Sequence, residues 1–209
     1  MPKTEAGLQQ VREASRKKIL DGALRVFATK GTMATMADVA EEAGVSQGLA
    51  YRYFTSKEAI LSELVHGVTD AGGGFYERVK QAQGTARERL DFLLVRMMRA
   101  IRETPEYYQL LNRVLRDGNV RDELVDVVAK NGEAVRSTIR RLIVEAQADG
   151  DIARDDPDQL LAALLAIIYG LELPTPGPTG AEGRKNFPDT KIILRMLRPD
   201  ADAKGHEHP

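Results

Sequence analysis

Few residues in this chain of 209 are equipped for covalent or metal chemistry. It has three histidines, His66, His206 and His208, and no cysteine. The missing thiols exclude disulfides, thiolate metal sites and cysteine nucleophiles. No His-Glu-x-x-His spacing occurs, and His66 has no flanking partner that would make a nucleophile–base pair. His66 therefore reads as a helix-surface or domain-contact residue, and His206 and His208 as part of a polar tail. Carboxylates are plentiful but scattered over helix faces, so an enzyme would need an acid–base pair assembled from distant residues. The expectation is a protein with no catalytic residues, no metal and no cofactor.

Hydrogen-bonding chemistry, in contrast, is concentrated in TMADVAEEAGVSQGLAYRYFTSK, Thr35 to Lys57. Thr35 and Asp38 have capping-box spacing, with a hydroxyl for orphan amides and an acid in the first turn. Val39, Ala40 and Ala43 put a small apolar face on a helix of about two turns. Gly44 is suited to the left-handed conformation that ends a helix and reverses the chain. Val45 plugs the corner, and Ser46 is a second N-cap. The next helix, Gln47 to Tyr53, carries Gln47, Tyr51, Arg52 and Tyr53, with Ala50 small enough to pack on the preceding helix.

Helix, glycine-containing turn and helix is the plan in which the second helix enters the DNA major groove. Gln47 near the helix start can read a base edge, typically adenine. Gly48 lets the backbone come close to a surface, and Leu49 suits a thymine methyl group. Tyr51, Tyr53 and Lys57 are phosphate donors, which set register rather than sequence. Thr35, Ser46 and Arg52 complete the candidate DNA contacts. An ordinary helical hairpin with a solvated polar face has the same spacing.

Ala43-Gly44-Val45-Ser46, Gly48, Tyr51, Tyr53-Phe54, Ser56-Lys57-Glu58 and Leu61 closely resemble the signature of the tetracycline-repressor (TetR) family. Arg16, Ile19-Leu20, Ala23, Phe27 and Gly31 are similar to that family's first helix. The match covers about the first quarter of the chain, in order and without gaps. The resemblance implies an N-terminal three-helix DNA-binding domain followed by a helical ligand-binding and dimerisation domain. It also implies a homodimer on a palindromic double-stranded operator, with a small-molecule effector in the body. Carried onto this chain, the dimer helices are Asp158–Leu173 and Lys191–Leu197. Met97, Tyr107, Tyr108, Leu111 and Tyr169 lie on helices that would surround the effector. Met adapts to irregular shapes and Tyr offers an apolar body with one hydrogen bond, yet each is as well suited to plain core.

Composition agrees in part. Net charge is −1, from 30 basic and 31 acidic residues. Residues 1–57 carry nine Lys/Arg and six Asp/Glu, a net of +3 that leaves −4 for the remainder. A basic head on an acidic body suits DNA binding at one end. Strand signals are few, so the fold class is all-α. No stretch approaches the ~20 apolar residues of a membrane span, and no signal-peptide core is present. The expected location is the cytoplasm, with no membrane partner.

The elements that must position the head follow from periodicity and punctuation. Residues 1 to about 11 read as a disordered terminus, and Arg12, Arg16, Lys17 and Lys18 as the basic opening of the first helix, one or two of them within reach of phosphates. Thr55 and Glu58 have capping-box spacing for a longer helix through Val68. Gly72-Gly73-Gly74 should interrupt it as a loop or a hinge, since each glycine costs about 1 kcal/mol in a helix. Thr85–Glu103 is amphipathic, Pro105 opens the next helix, and a long helix runs to Gly150, weakened at Asn131-Gly132. The stretch LLAALLAIIYGLEL is too apolar around its circumference to face water alone. Pro174–Pro188 reads as a linker. The resulting division is 1–55 for DNA binding, 56–198 for regulation and dimerisation, and 199–209 as tail. The alternative function is a helical enzyme or scaffold without DNA binding.

Overall fold

The computed structural model describes residues 5–172 and 188–199, and every long regular element among them is an α-helix. The order is α1 (Glu5–Lys30), a 3-10 turn (Gly31–Met33), α2 (Met36–Glu42), α3 (Gln47–Tyr53), α4 (Lys57–Gln81), α5 (Ala86–Glu103), α6 (Pro105–Arg116), α7 (Asp122–Ala148), α8 (Pro157–Glu172) and α9 (Thr190–Arg195). The all-α class follows. The chain falls into two compact units that do not follow sequence order. One takes the chain up to Ala71 together with Glu106–Lys130; the other takes Gly72–Pro105 and the chain from Asn131 onward.

In the first unit, α1 buries Ile19, Ala23 and Phe27 against Val39 and Ala40 of α2, Ala50 of α3, and Ile60 and Leu64 of α4. Leu110 and Val114 of α6 and Leu124 and Val128 of α7 belong to the same core. The approach of α1 to the end of α2 is unusually close. A Cβ on buried Gly22 would lie 2.8 Å from the Ala43 amide nitrogen and 2.9 Å from the Ala43 Cβ. Only hydrogen fits there.

Local signals set the helix ends in this unit. Thr35 is the N-cap of α2, and its hydroxyl accepts from the Asp38 amide at 3.1 Å. The Asp38 carboxylate in return accepts from the Thr35 amide at 2.8 Å. At the other end, Gly44 has φ +58. Its amide donates to Glu41 O and the Val45 amide to Ala40 O, each at 2.9 Å. This is the paired bonding of a Schellman ending, which satisfies carbonyls that the helix leaves open. Ser46 caps α3 through the Leu49 amide at 3.2 Å.

In the second unit, α5 buries Leu90, Leu93, Leu94, Met97 and Ile101 and packs against α8 and α9. Ile139, Leu142 and Ile143 of α7 and Leu161, Leu164 and Ile168 of α8 are buried as well. The half-buried Arg87 ties the end of α9 down, donating to Leu194 O at 3.1 Å and Leu197 O at 3.2 Å. Arg96, Arg99 and Arg102 are exposed, as a solvated helix face requires.

Three sequence expectations are corrected. The chain is already helical from Glu5, well before Arg12; EAGLQQVREASRKK is polar, but it consists mostly of strong helix formers. α4 runs unbroken through Gly72-Gly73-Gly74. A Cβ on Gly72 would stand 2.9 Å from Asn131 Oδ1, so a missing side chain permits close approach of α7. Finally, the cap of α4 is Ser56 rather than Thr55, its hydroxyl accepting from the Ala59 amide at 3.2 Å. The Pro174–Pro188 linker, apart from Pro188, and the tail beyond Pro199 lie outside the described residues.

Two measurements test this account. Gly22→Ala should destabilise the protein by about 1–3 kcal/mol, the usual cost of overpacking a close contact, read from the urea midpoint; an unchanged midpoint would refute the steric claim. The second concerns Asp38, whose carboxyl is held down at about 2, from an ordinary 3.8, by the Lys30 ammonium and the Thr35 hydroxyl and amide. A folded value below the unfolded one makes the contribution complete above about pH 4, and it is lost as pH falls toward 2. The urea midpoint of Asp38→Asn should therefore trail the wild type most at neutral pH, with the gap closing between pH 4 and 2. A gap constant over that range would contradict the linkage.

Candidate nucleic-acid interface

The seven residues of α3 divide by burial. Ala50 is fully buried on α2, and the following Phe54 is buried in the core of the first unit. Gln47, Gly48, Tyr51 and Arg52 are exposed, while Leu49 and Tyr53 are half-buried. Gln47 and Tyr51 are four residues apart and so stand one above the other on one face. A Cβ on Gly48 would meet nothing within 4 Å, so the helix start is open to an approaching surface. The outer face of α3 thus carries amide, phenol and guanidinium groups, on a helix whose buried side is fixed.

The supports of that face are mostly not local in sequence. Arg113 of α6 donates to Ala28 O at 2.7 Å and Thr29 O at 2.8 Å, closing the last turn of α1. The Thr32 hydroxyl donates to Asp117 at 2.5 Å, and Lys57 Nζ donates to Thr32 O at 2.6 Å. Hydrogen bonds from Thr32 and from the Asn119 amide lower the Asp117 carboxyl below its ordinary value. Lys57, read from sequence as a phosphate donor, is therefore half-buried and bonded to the turn before α2, with two ammonium protons left.

Several head cations are engaged in the same way. Arg16 pairs with Glu63 and lies over the Phe54 ring at 5.1 Å. Arg25 pairs with Glu42 at 2.6 Å and Lys30 with Asp38 at 2.6 Å. Lys18 Nζ donates to Gly44 O at 3.3 Å, spanning α1 and the turn between α2 and α3. Arg12, Lys17 and Arg52 are exposed, without a hydrogen bond or ion pair among the described residues.

Of the residues expected to surround an effector, Met97 is buried and Tyr169 exposed in the second unit. Tyr107, Tyr108 and Leu111 belong to the first unit, where Tyr107 and Leu111 pack on its core. The five do not gather within either unit. Sequence reasoning missed Arg113 and Asp117, whose partners lie about 85 residues away; no local pattern marks such a pair. His66 is exposed, its Nδ1 2.8 Å from Ser62 O. No cluster of metal-ligating side chains occurs among the described residues. No helix among them is long and apolar enough to cross a membrane.

Comparison with known proteins places this geometry. The model of bacterial regulatory proteins of the tetR family matches residues 19–64, which span α1 to α4. The transcriptional repressor KstR of Mycolicibacterium smegmatis is 32% identical over 172 residues, covering 79% of this chain and 82% of that protein. The regulator BetI of Rhizobium meliloti is 38% identical over 107 residues, a match spanning 50% of its length. Among solved structures, the ketosteroid regulator KstR2 of Mycobacterium tuberculosis shares the fold, with a TM-score of 0.69 at 20% identity, covering 88% of this chain and 94% of that one. A TetR/AcrR-family regulator from Thermobifida fusca superposes with a TM-score of 0.58 at 26% identity, covering 88% and 98%. With the head motif matched in place and a repressor matched along most of both chains, this protein belongs to the TetR family of DNA-binding transcriptional regulators.

Proposed function

We propose that this chain is a homodimeric repressor that holds a palindromic operator through α3 and is released by a small-molecule effector. The carrying observation is the division of α3, with Ala50 buried and Gln47, Gly48, Tyr51 and Arg52 presented outward. A helix so held can enter the major groove with its N-terminal residues toward the bases. In this reading Gln47 contacts a base edge and Leu49 a thymine methyl. Tyr51, Arg52, Tyr53 and Lys57 contact phosphates, and Thr35 and Ser46 bring the capped helix starts to the backbone. The contacting residues all fall within 1–57, and regulation and dimerisation belong to the chain beyond 55.

Dimerisation is supported by α8. Leu160–Leu171 contains no charged residue, and Ala162, Ala166 and Gly170 are exposed. Small residues four apart allow a second helix to approach closely. Exposed Ile192 and Met196, in and just after α9, extend the apolar surface of the unit. A two-fold pair would double the few base contacts of a single α3. KstR is a repressor by name and KstR2 a ketosteroid regulator, which supports repression and an apolar effector for this chain. Met97 and Tyr169 are the second-unit side chains assigned to it. Release then requires the effector to prefer the conformation with low operator affinity, so that DNA and effector weaken each other equally.

Two experiments test this reading. The purified protein should select a palindrome from random DNA, and the same sequence should occur upstream of its own gene. Gln47→Ala should relax preference at one base position per half-site by about 1–3 kcal/mol; a uniform loss over all sequences would remove Gln47 from base reading. For the dimer, Ala166→Glu should convert a dimeric wild type to monomer in light scattering while keeping its helical content. A monomeric wild type, or an undisturbed dimer in the variant, would reject α8 as the interface.

A further inference from the structure

A cavity of about 340 Å³ lies in the first unit, within the lower part of the ~300–1,000 Å³ range of small-molecule sites. It lies beside the reading head and involves none of the effector residues discussed above. Its apolar wall is made by Phe27, Leu61 and Leu124, all buried, with Val120 half-buried. Met33, 81% exposed, stands on its edge.

The polar groups on the lining are unequal in sign. Lys57 and Arg121 supply two cations and Glu58 one carboxylate. The Glu58 carboxylate is already occupied: its own backbone N–H and then the Ser56 hydroxyl hold it below the ordinary range. Lys57 Nζ is fixed by Thr32 O and retains two protons. The exposed Arg121 guanidinium makes no hydrogen bond or salt bridge among the described residues; it acts on the Glu58 carboxylate only through space. An apolar wall whose two cations outnumber its one carboxylate, with guanidinium protons that no hydrogen bond uses, selects a ligand with an apolar body and a single anionic end.

We infer that this cavity is a second binding site, for a small amphipathic monoanion whose apolar body lies on Phe27, Leu61, Val120 and Leu124 and whose carboxylate meets Lys57 and Arg121. Thr32 and Met33 precede α2, and Lys57 follows α3 by four residues, so the site grips both chain ends of the reading motif. Asn119–Arg121 supply its opposite side from the loop between α6 and α7. Occupancy joins the two ends of the motif to that loop and so bears on how α3 is held.

The test uses the full chain and 4-phenylbutyrate as probe, titrated by calorimetry. The carboxylate should bind with saturation, and 4-phenylbutanol and 4-phenylbutylamine at least about tenfold more weakly. Arg121→Glu lies on the surface, and should weaken the carboxylate about tenfold or more while leaving the circular dichroism spectrum unchanged. Val120→Trp, which fills the cavity, should abolish binding. Absence of saturable binding, equal binding of the alcohol, or unaltered affinity in the folded Arg121→Glu protein would each overturn the site. Operator binding is not the readout, so failure here leaves the repressor reading intact.

Discussion

The contact of α1 with the end of α2 is the constraint on which the reading head depends. At Gly22 and Ala43 two backbones meet with no room for a methyl group. Interiors are packed densely enough that such a contact fixes orientation rather than merely proximity. Gly44 and Val45 then turn the chain by hydrogen bonds to Glu41 and Ala40, and Ser46 starts α3 at once. The direction of α3 is therefore inherited from α1 through two glycines and a cap. Hydrophobic burial supplies the cohesion of the unit, but these few steric and hydrogen-bonded joints decide which face of α3 points outward.

What could be read in the sequence was what is local. Thr35, Gly44 and Ser46 act within three or four residues of themselves, and the structure places each where its chemistry demands. Helix continuity was misjudged where tertiary contacts override propensity. Gly72 costs α4 helix propensity, yet its lack of a side chain is what admits Asn131. The first turns of α1 are polar enough to suggest a disordered terminus, although propensity alone favours helix there. Thr55 has the acid three residues on that a capping box needs, yet the adjacent Ser56 takes the Ala59 amide, so spacing to an acid does not identify the cap.

The non-local supports explain why the first unit draws on two separated stretches of chain. The end of α1 leaves carbonyls that water or a donor must satisfy, and Arg113 reaches two of them. Asp117 takes the Thr32 hydroxyl, and Leu110, Val114, Leu124 and Val128 close the core. Cutting the chain after the DNA-contacting residues would remove these groups and expose Phe27 and Leu61. Contact with DNA is carried by the first quarter of the sequence, but the rigidity of that contact is not.

The same distinction applies to charge. The first 57 residues carry a net charge of +3, yet Arg16, Arg25 and Lys30 are paired with carboxylates, while Lys18 and Lys57 keep their charge but are tethered to backbone carbonyls. Paired charges project little field beyond about a Debye length, some 8–10 Å at physiological salt. The cations left to act on a phosphate backbone are few, with Arg12, Lys17 and Arg52 foremost. A single head then releases few counterions, and in the proposed homodimer two heads on one duplex would double that contribution. If α8 pairs as proposed, its uncharged, small-residue face and the sparsely charged α3 complement each other, symmetry supplying affinity and the head discrimination.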